Sequence, residues 1–310
     1  MVSRTPERAQ SRPPEVRITT DPAHGGRWTS LRAGTREWLW RREEPRRAGA
    51  RPGDDFADAG GLEECVPTVR GIPDHGDAWS RRWTARGDTA SVRCPDFHLT
   101  RRITTEPGRA VADYRLTADP GYRFLWAAHA LLDVSPRGRI AIAEGAPGRC
   151  YPDGGARWTP FAWPRAGEEP AGGRPLGGGP TGGGPVGGGS AGGGPTSGGP
   201  VGGGAATVTR FDLLGPDDGT ALGAIMATST ATVHDGPDML AFTLEAPGQP
   251  VSVALWRNLR GFPEPAPYRS IGVEPMLGRA FDLGAATDED CARVPAGGEV
   301  RWRLTVTASP

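Results

Sequence analysis

No stretch of this sequence carries an amphipathic helical period of convincing length, whereas short segments that alternate apolar and polar residues recur from Val16 to Thr307. A period of two puts one face of a strand toward a core and the other toward water or a ligand. In the first half, Val16–Thr19, Trp28–Arg32, Glu37–Arg41, Arg81–Ala85, Thr89–Cys94, Phe97–Thr105, Ala110–Thr117 and Tyr122–Leu132 read as strands. In the second half, Thr207–Leu214, Ala221–Ala227, Ala231–His234, Met239–Leu244, Val251–Trp256, Ser270–Glu274 and Val300–Thr307 do so. Many short strands separated by Gly, Pro and charged turns predict an all-β sandwich or barrel.

The chain of 310 residues is long enough for one large all-β domain or two ordinary ones. Residues 1–14 are polar and Arg-rich, and are expected to form a disordered tail. Residues 167–206 interrupt the strand pattern with near-repeats such as Leu176-Gly-Gly-Gly-Pro180 and Thr181-Gly-Gly-Gly-Pro185. Their period of five is not the triplet of collagen, and a phosphate cradle is one tight turn leading into a helix. With almost no apolar surface to offset ordering entropy, this tract is expected to be a disordered insertion. Blocks of similar texture flank it, so the reading is a single domain over residues 15–308, interrupted rather than divided. Loop-closure entropy grows only logarithmically, so the insertion costs about 1 kcal/mol or less.

Every basic residue is Arg, which removes Schiff-base lysine chemistry and the lysine of a phosphate loop. The formal net charge is zero, so nothing favours nucleic acid or an anionic membrane as partner, and no protein partner can be inferred. No apolar run approaches a membrane span, and the N-terminus has no apolar leader. Cys65, Cys94, Cys150 and Cys291 lie far apart without a C-x-x-C pair, unlike a zinc site or a disulfide framework. The expectation is a cytoplasmic protein with reduced thiols.

Three residues stand out as candidates for chemistry. In Ser270-Ile-Gly-Val-Glu-Pro-Met-Leu-Gly-Arg279 a strand meets Pro275, which predicts that it stops there with Glu274 at its lip. A carboxylate there is either paired with one of the many arginines or serves a site. His129 lies in Phe124-Leu-Trp-Ala-Ala-His-Ala-Leu-Leu132, apolar on both faces, and is either a satisfied core histidine or faces a cavity. His75 sits in a Pro-Asp-His-Gly turn, a setting that suits function or plain exposure. His24, His98 and His234 have no such surroundings and are expected on the surface.

Several motifs taken together resemble the aldose 1-epimerase, or galactose mutarotase-like, family. They are Gly25-Gly-Arg-Trp-Thr-Ser-Leu31 with Glu37-Trp-Leu-Trp40, Gly61-Leu-Glu-Glu-Cys-Val-Pro-Thr68 and Asp74-His-Gly-Asp-Ala-Trp-Ser80. Trp126-Ala-Ala-His-Ala-Leu131, Leu255-Trp-Arg-Asn-Leu-Arg-Gly-Phe-Pro263 and Gly272-Val-Glu-Pro-Met-Leu-Gly278 follow in the family's order. The resemblance implies a large antiparallel β-supersandwich with a sugar-sized cleft, and a monosaccharide substrate. It implies no metal and no organic cofactor. Glu274 would be the general base on the anomeric hydroxyl, His129 the general acid on the ring oxygen, and His75 a substrate-binding residue. Ring opening needs one proton removed and one delivered, for which groups titrating near neutrality serve both directions. Trp256 and Trp79 are candidates to face the sugar, while Asp212 matches a sugar-binding aspartate only generically. The family's Asn-His-Leu-His-Gly-Gly type segment is here Asp74-His-Gly-Asp, without the first histidine, which leaves the substrate geometry around His75 open. Two alternatives stand beside the mutarotase: a non-catalytic carbohydrate-binding or regulatory protein on this fold, and a hexose-6-phosphate 1-epimerase. The latter would need arginines at the cleft mouth, with Arg70, Arg81 and Arg82 in the right region.

Overall fold

Alternation along the strands translates directly into two packed sheets. A computed structural model describes residues 13–152, 157–166, 209–263 and 265–310. Phe97–Glu106, Arg109–Ala118, Glu299–Ser309 and Asp238–Glu245 lie side by side, in that order, in an eight-stranded antiparallel sheet. Along most of their length alternate residues of these strands are buried, as in Val300, Trp302, Leu304, Val306 and Ala308. The larger sheet has twelve strands. Its centre runs Leu62–Cys65, Trp126–Leu132, Arg269–Leu277, Val251–Leu259 and Ala221–Met226, each antiparallel to the next. The protein thus has the all-β, antiparallel supersandwich architecture expected.

The main core fills the space between the sheets. Trp28, Leu62, Trp126, Ala128, Leu132, Leu255, Ile271 and Val273 face it from the large sheet, and Leu99, Tyr114, Phe242 and Trp302 from the small one. Each large apolar side chain so buried contributes about 1.5–3 kcal/mol. One charged pair crosses this core: Arg101 Nη1 donates to Glu64 Oε1 at 2.6 Å, both side chains being shut off from water. The opposite face of the large sheet carries a second, smaller apolar cluster of Cys65, Val69, Ala127, Tyr151, Ile225, Ala254 and Met276. That face holds the candidate site.

Two sequence expectations change. The strand expected to stop at Pro275 continues as Arg269–Leu277, and Glu274 lies inside it rather than at its lip. Proline is tolerated because the neighbouring ladder is interrupted there. Trp126–Leu132 pairs with this strand at Trp126/Leu277, Ala127/Met276, Leu131/Gly272 and Leu132/Ile271, but not across 128–130 and 273–275. No ladder bond is therefore lost for want of the proline N–H. The segment around Gly61, unassigned to any strand, contains the central strand Leu62–Cys65.

The expected insertion over 167–206 lies outside the described residues, as does the expected tail apart from Pro13 and Pro14. The segments flanking the insertion pair with each other, Arg165 with Arg210 and Ala166 with Thr209, at the end of the large sheet. All four cysteines are buried and free. Among the described residues no helix is long and apolar enough to cross a membrane.

Candidate functional site

Register brings the two predicted acid–base residues together. Because Ala127 pairs with Met276 and Leu131 with Gly272, His129 lies directly opposite Glu274 in the unpaired interval between their strands. On its other side His129 pairs with Glu63. Glu63, His129 and Glu274 therefore form one row across three adjacent strands, with Ala254 opposite Glu274 on the next. Directly opposed residues have Cβ atoms about 4.5–5.5 Å apart, so their side chains must interact. His129 Nε2 lies 3.7 Å from Glu274 Oε1.

Both groups are almost wholly enclosed, Glu274 at 2% and His129 at 8% exposure. Glu274 Oε2 and His129 Nδ1 are buried without hydrogen-bond partners. Buried polar atoms are normally paired, and orphans at the floor of a cavity mark a ligand's place. Burial raises the Glu274 carboxyl above its ordinary value, and the charges of His129 and Arg70 only partly offset it. Burial also raises Glu63, against the nearby Arg47, whose Nη2 donates to Glu63 Oε2 at 2.8 Å.

Gly272 makes room for this arrangement. It precedes Glu274 by two residues and so shares its face of the strand. A Cβ at Gly272 would fall 2.4 Å from Glu274 Oε1 and 2.9 Å from Trp256 Cβ. Gly272→Ala is expected to drive the carboxylate away from His129. Any activity requiring the pair should fall by about tenfold or more, equivalent to ~1.4 kcal/mol. Thermal unfolding measured beside activity checks this, since a fold lost along with the activity would count against a local effect.

His75 is placed by its turn. Its φ of +56° lies in the left-handed region, an uncommon conformation for a side chain larger than Gly or Asn. Gly76, φ +81°, follows so closely on Val66 that a Cβ would overlap the Val66 carbonyl. The imidazole stacks on Phe56, ring centroids 3.8 Å apart, and meets the His129 ring edge-on at 5.1 Å. Its Nδ1 lies 2.9 Å from Asp74 Oδ1. Burial lowers His75 below the ordinary histidine value, the Asp74 hydrogen bond offsetting only part of this. A neutral imidazole that donates Nδ1–H to Asp74 leaves Nε2 as an acceptor.

These residues line one cavity of about 390 Å³. His129, Glu274, His75 and Gly223 line it together with Trp256, Phe281, Arg70 and Leu131. Arg42, Glu44, Arg46, Asp58, Tyr268 and Phe262 lie on its border as well. All four sequence-predicted site residues (Glu274, His129, His75 and Trp256) are thus brought together. Trp79 is not among the lining residues. It is buried, donating its Nε1–H to the Asp74 carbonyl at 2.9 Å with the Arg47 guanidinium over its ring. Asp212 instead pairs with Arg210, and Arg81 with Asp77 at 3.4 Å. Sequence reasoning missed Phe56, Asp58 and Tyr268. Phe56 and Asp58 lie in a charged loop without periodicity, and Tyr268 in a Pro-rich one.

No protein-family model and no curated protein matches the sequence. Solved structures do resemble it. The Slr1438 protein from Synechocystis sp. PCC 6803 superposes with a TM-score of 0.60 at 12% identity, covering 100% of this chain and 99% of that one. A candidate aldose 1-epimerase from Escherichia coli K12 gives 0.60 at 12% identity, covering 95% and 96%. A galactose mutarotase related enzyme from Lactobacillus acidophilus gives 0.57 at 11% identity, covering 96% and 95%. Likeness over whole chains at such low identity is a statement about architecture, and it agrees with the sheet order and the resemblance of the motifs: the chain has the galactose mutarotase-like fold.

Proposed function

We propose that the protein is an aldose 1-epimerase, a cofactor-free isomerase that interconverts the α and β anomers of a hexose. The observation that carries this reading is the 3.7 Å approach of His129 Nε2 to Glu274 Oε1 on the floor of a cavity. The anomeric hydroxyl and the ring oxygen are bonded to the same carbon, so an acid and a base that serve them must sit within a few ångströms of each other. The Glu274 carboxylate takes the proton of the anomeric hydroxyl as His129 Nε2–H protonates the ring oxygen. The bond between C1 and the ring oxygen breaks, leaving an open-chain aldehyde. Rotation about C1–C2 presents the other carbonyl face, and the ring recloses with both protons returned. A carboxyl raised by burial is the better base near neutrality. His75 Nε2 accepts a hydrogen bond from a sugar hydroxyl, and Trp256 packs against the apolar face of the pyranose.

The charge of the lining favours an uncharged sugar over a phosphorylated one. Arg42, Arg46 and Arg70 face four carboxylates: Glu44, Asp58, Asp74 and Glu274. A phosphate dianion would enter a cavity without surplus positive charge.

Anomer exchange followed by NMR on glucose, galactose and their 6-phosphates tests the reading. Acceleration over buffer is expected for an unphosphorylated hexose, and His129→Ala should reduce it by about 10²–10⁴-fold, the usual worth of a general acid. Shift changes on titration without faster exchange would instead indicate a carbohydrate-binding protein on an enzyme's fold.

A further inference from the structure

We infer that Glu63 is a positioning residue for His129: its enclosed carboxylate lies across the imidazole from Glu274 and is the standing counterion of the protonated ring. This inference rests on the epimerase reading of His129 and Glu274. Glu63 is not among the residues lining the cavity, so it acts through His129 and not on a ligand.

The backbone supplies the first ground. The His129 strand pairs with Leu62–Cys65 at each position from Ala127 to Ala130, while toward the Glu274 strand its ladder is open across 128–130. His129 is therefore placed by the Glu63 strand, and no ladder bond at its own level ties it to the strand of Glu274. Direct opposition in the ladder puts the Glu63 and His129 side chains on one face, with Cβ atoms about 4.5–5.5 Å apart.

Charge supplies the second. Glu63 faces His129 from one neighbouring strand and Glu274 from the other, while His75 meets it edge-on at 5.1 Å with Asp74 on its own Nδ1. The arginines stand one place further out. Arg47 and Arg27 lie on Glu63, Nη1 and Nε being 2.7 Å and 3.8 Å from its Oε1, and Arg70 acts on Glu274. Two carboxylates beside one imidazole favour its charged form. Only that form can give Nε2–H to the ring oxygen and be left neutral. As Glu274 takes the anomeric proton it loses its charge. Glu63, gripped at both oxygens by Arg47, keeps its own and draws the proton back to His129 when the ring recloses.

The third ground is the burial of Glu63, at 1% exposure. Enclosure raises its carboxyl, and Arg47, Arg27 and His129 work against that rise. An ion pair so enclosed is weak evidence for stability, since an apolar pair of similar volume often serves as well. Nor is Glu63 the only hold on Arg47, which also donates to the carbonyls of His24, Ala57 and Trp79. The neighbour that gains from a carboxylate at this position is His129.

Glu63→Gln keeps the shape of the side chain and removes its charge. The imidazole titration of His129, followed by NMR without sugar and assigned by its loss in His129→Ala, should move about one pH unit lower. With a hexose, kcat should fall about tenfold with KM within about twofold, and the alkaline limb of the kcat/KM profile should move down with the titration. A His129 titration unmoved by Glu63→Gln overturns the proposal whatever the rates, and makes Glu63 an anchor for the Arg47 loop. If no sugar exchanges in the wild type, the epimerase reading fails, and the titration decides the placement of His129 by itself: a lowered midpoint upholds it and an unchanged one overturns it. Should the single variant not fold, Glu63→Gln with Arg47→Gln strands no charge. The same displacement is expected there, because Glu63 and not Arg47 adjoins His129, and its absence overturns the proposal equally.

Discussion

Glu274→Gln is expected to abolish anomer exchange while making the folded protein more stable at alkaline pH. The activity follows from the general base, since an amide cannot take the anomeric proton, and a loss of about 10²–10⁴-fold is expected. The stability follows from linkage. Burial raises the Glu274 carboxyl above its ordinary value, with His129 and Arg70 pulling the other way. A carboxyl whose value is higher folded than unfolded holds its proton more tightly in the folded state. Its contribution is fully present below the unfolded value and is lost as pH rises through the folded one. Above its folded value the wild type therefore carries an enclosed charge that the amide lacks. The gain should be about 1 kcal/mol, as when residues kept for function at the expense of stability are replaced. Melting temperatures should diverge as pH rises from the ordinary carboxylate range through the raised folded value, with the variant higher at the alkaline end. A variant less stable there would instead make Glu274 a structural ion-pair partner of His129 and Arg70.

Much of this site was legible in the sequence, and the part that was not has definite causes. Alternation located the Glu274 strand, and a short run apolar on both faces located the His129 strand, because each has one face in the main core. It misjudged where the Glu274 strand ends. A proline reads as a stop unless the neighbouring ladder is known to be open, and that opening depends on a strand far away in the chain. The 3.7 Å approach could not be read from spacing at all, because register between distant strands is set by the fold. Adjacent glutamates in Leu62–Cys65 look redundant in sequence, yet alternation sends them to opposite faces. Glu63 joins the row of the site, and Glu64 enters the core. Phe56 and Asp58 come from a loop whose place depends on Arg47, which donates to Glu63 and to the carbonyls of His24, Ala57 and Trp79.

Arg101→Met should produce the largest loss of stability, about 3–5 kcal/mol, because it leaves the Glu64 carboxylate charged and without its counterion between the sheets. Glu64 reaches its partners from several strands. Oε1 accepts from Arg101 Nη1 at 2.6 Å and from the Tyr114 hydroxyl at 3.0 Å, and Oε2 from Trp126 Nε1 at 2.8 Å. Arg101 also donates to the Gly26 carbonyl at 2.7 Å and lies over the Trp83 ring at 5.0 Å. With a melting shift of roughly 2–4 °C per kcal/mol in domains of this order, the variant should melt about 10 °C lower. Replacing both partners by apolar residues, Glu64→Leu with Arg101→Met, removes the stranded charge and should recover much of the loss. Such recovery is the mark of a pair whose desolvation nearly cancels its attraction. The double variant also separates structure from chemistry. Glu64 adjoins Glu63, whose cross-strand neighbour is His129, so a core pair that sets the height of that strand would also set the acid. Exchange rates in the double variant within about twofold of wild type, ~0.4 kcal/mol, would confine the pair to holding the sheets together. A larger fall with the fold intact would show that the interior ion pair positions the row of ionisable groups on the other face of the same strand.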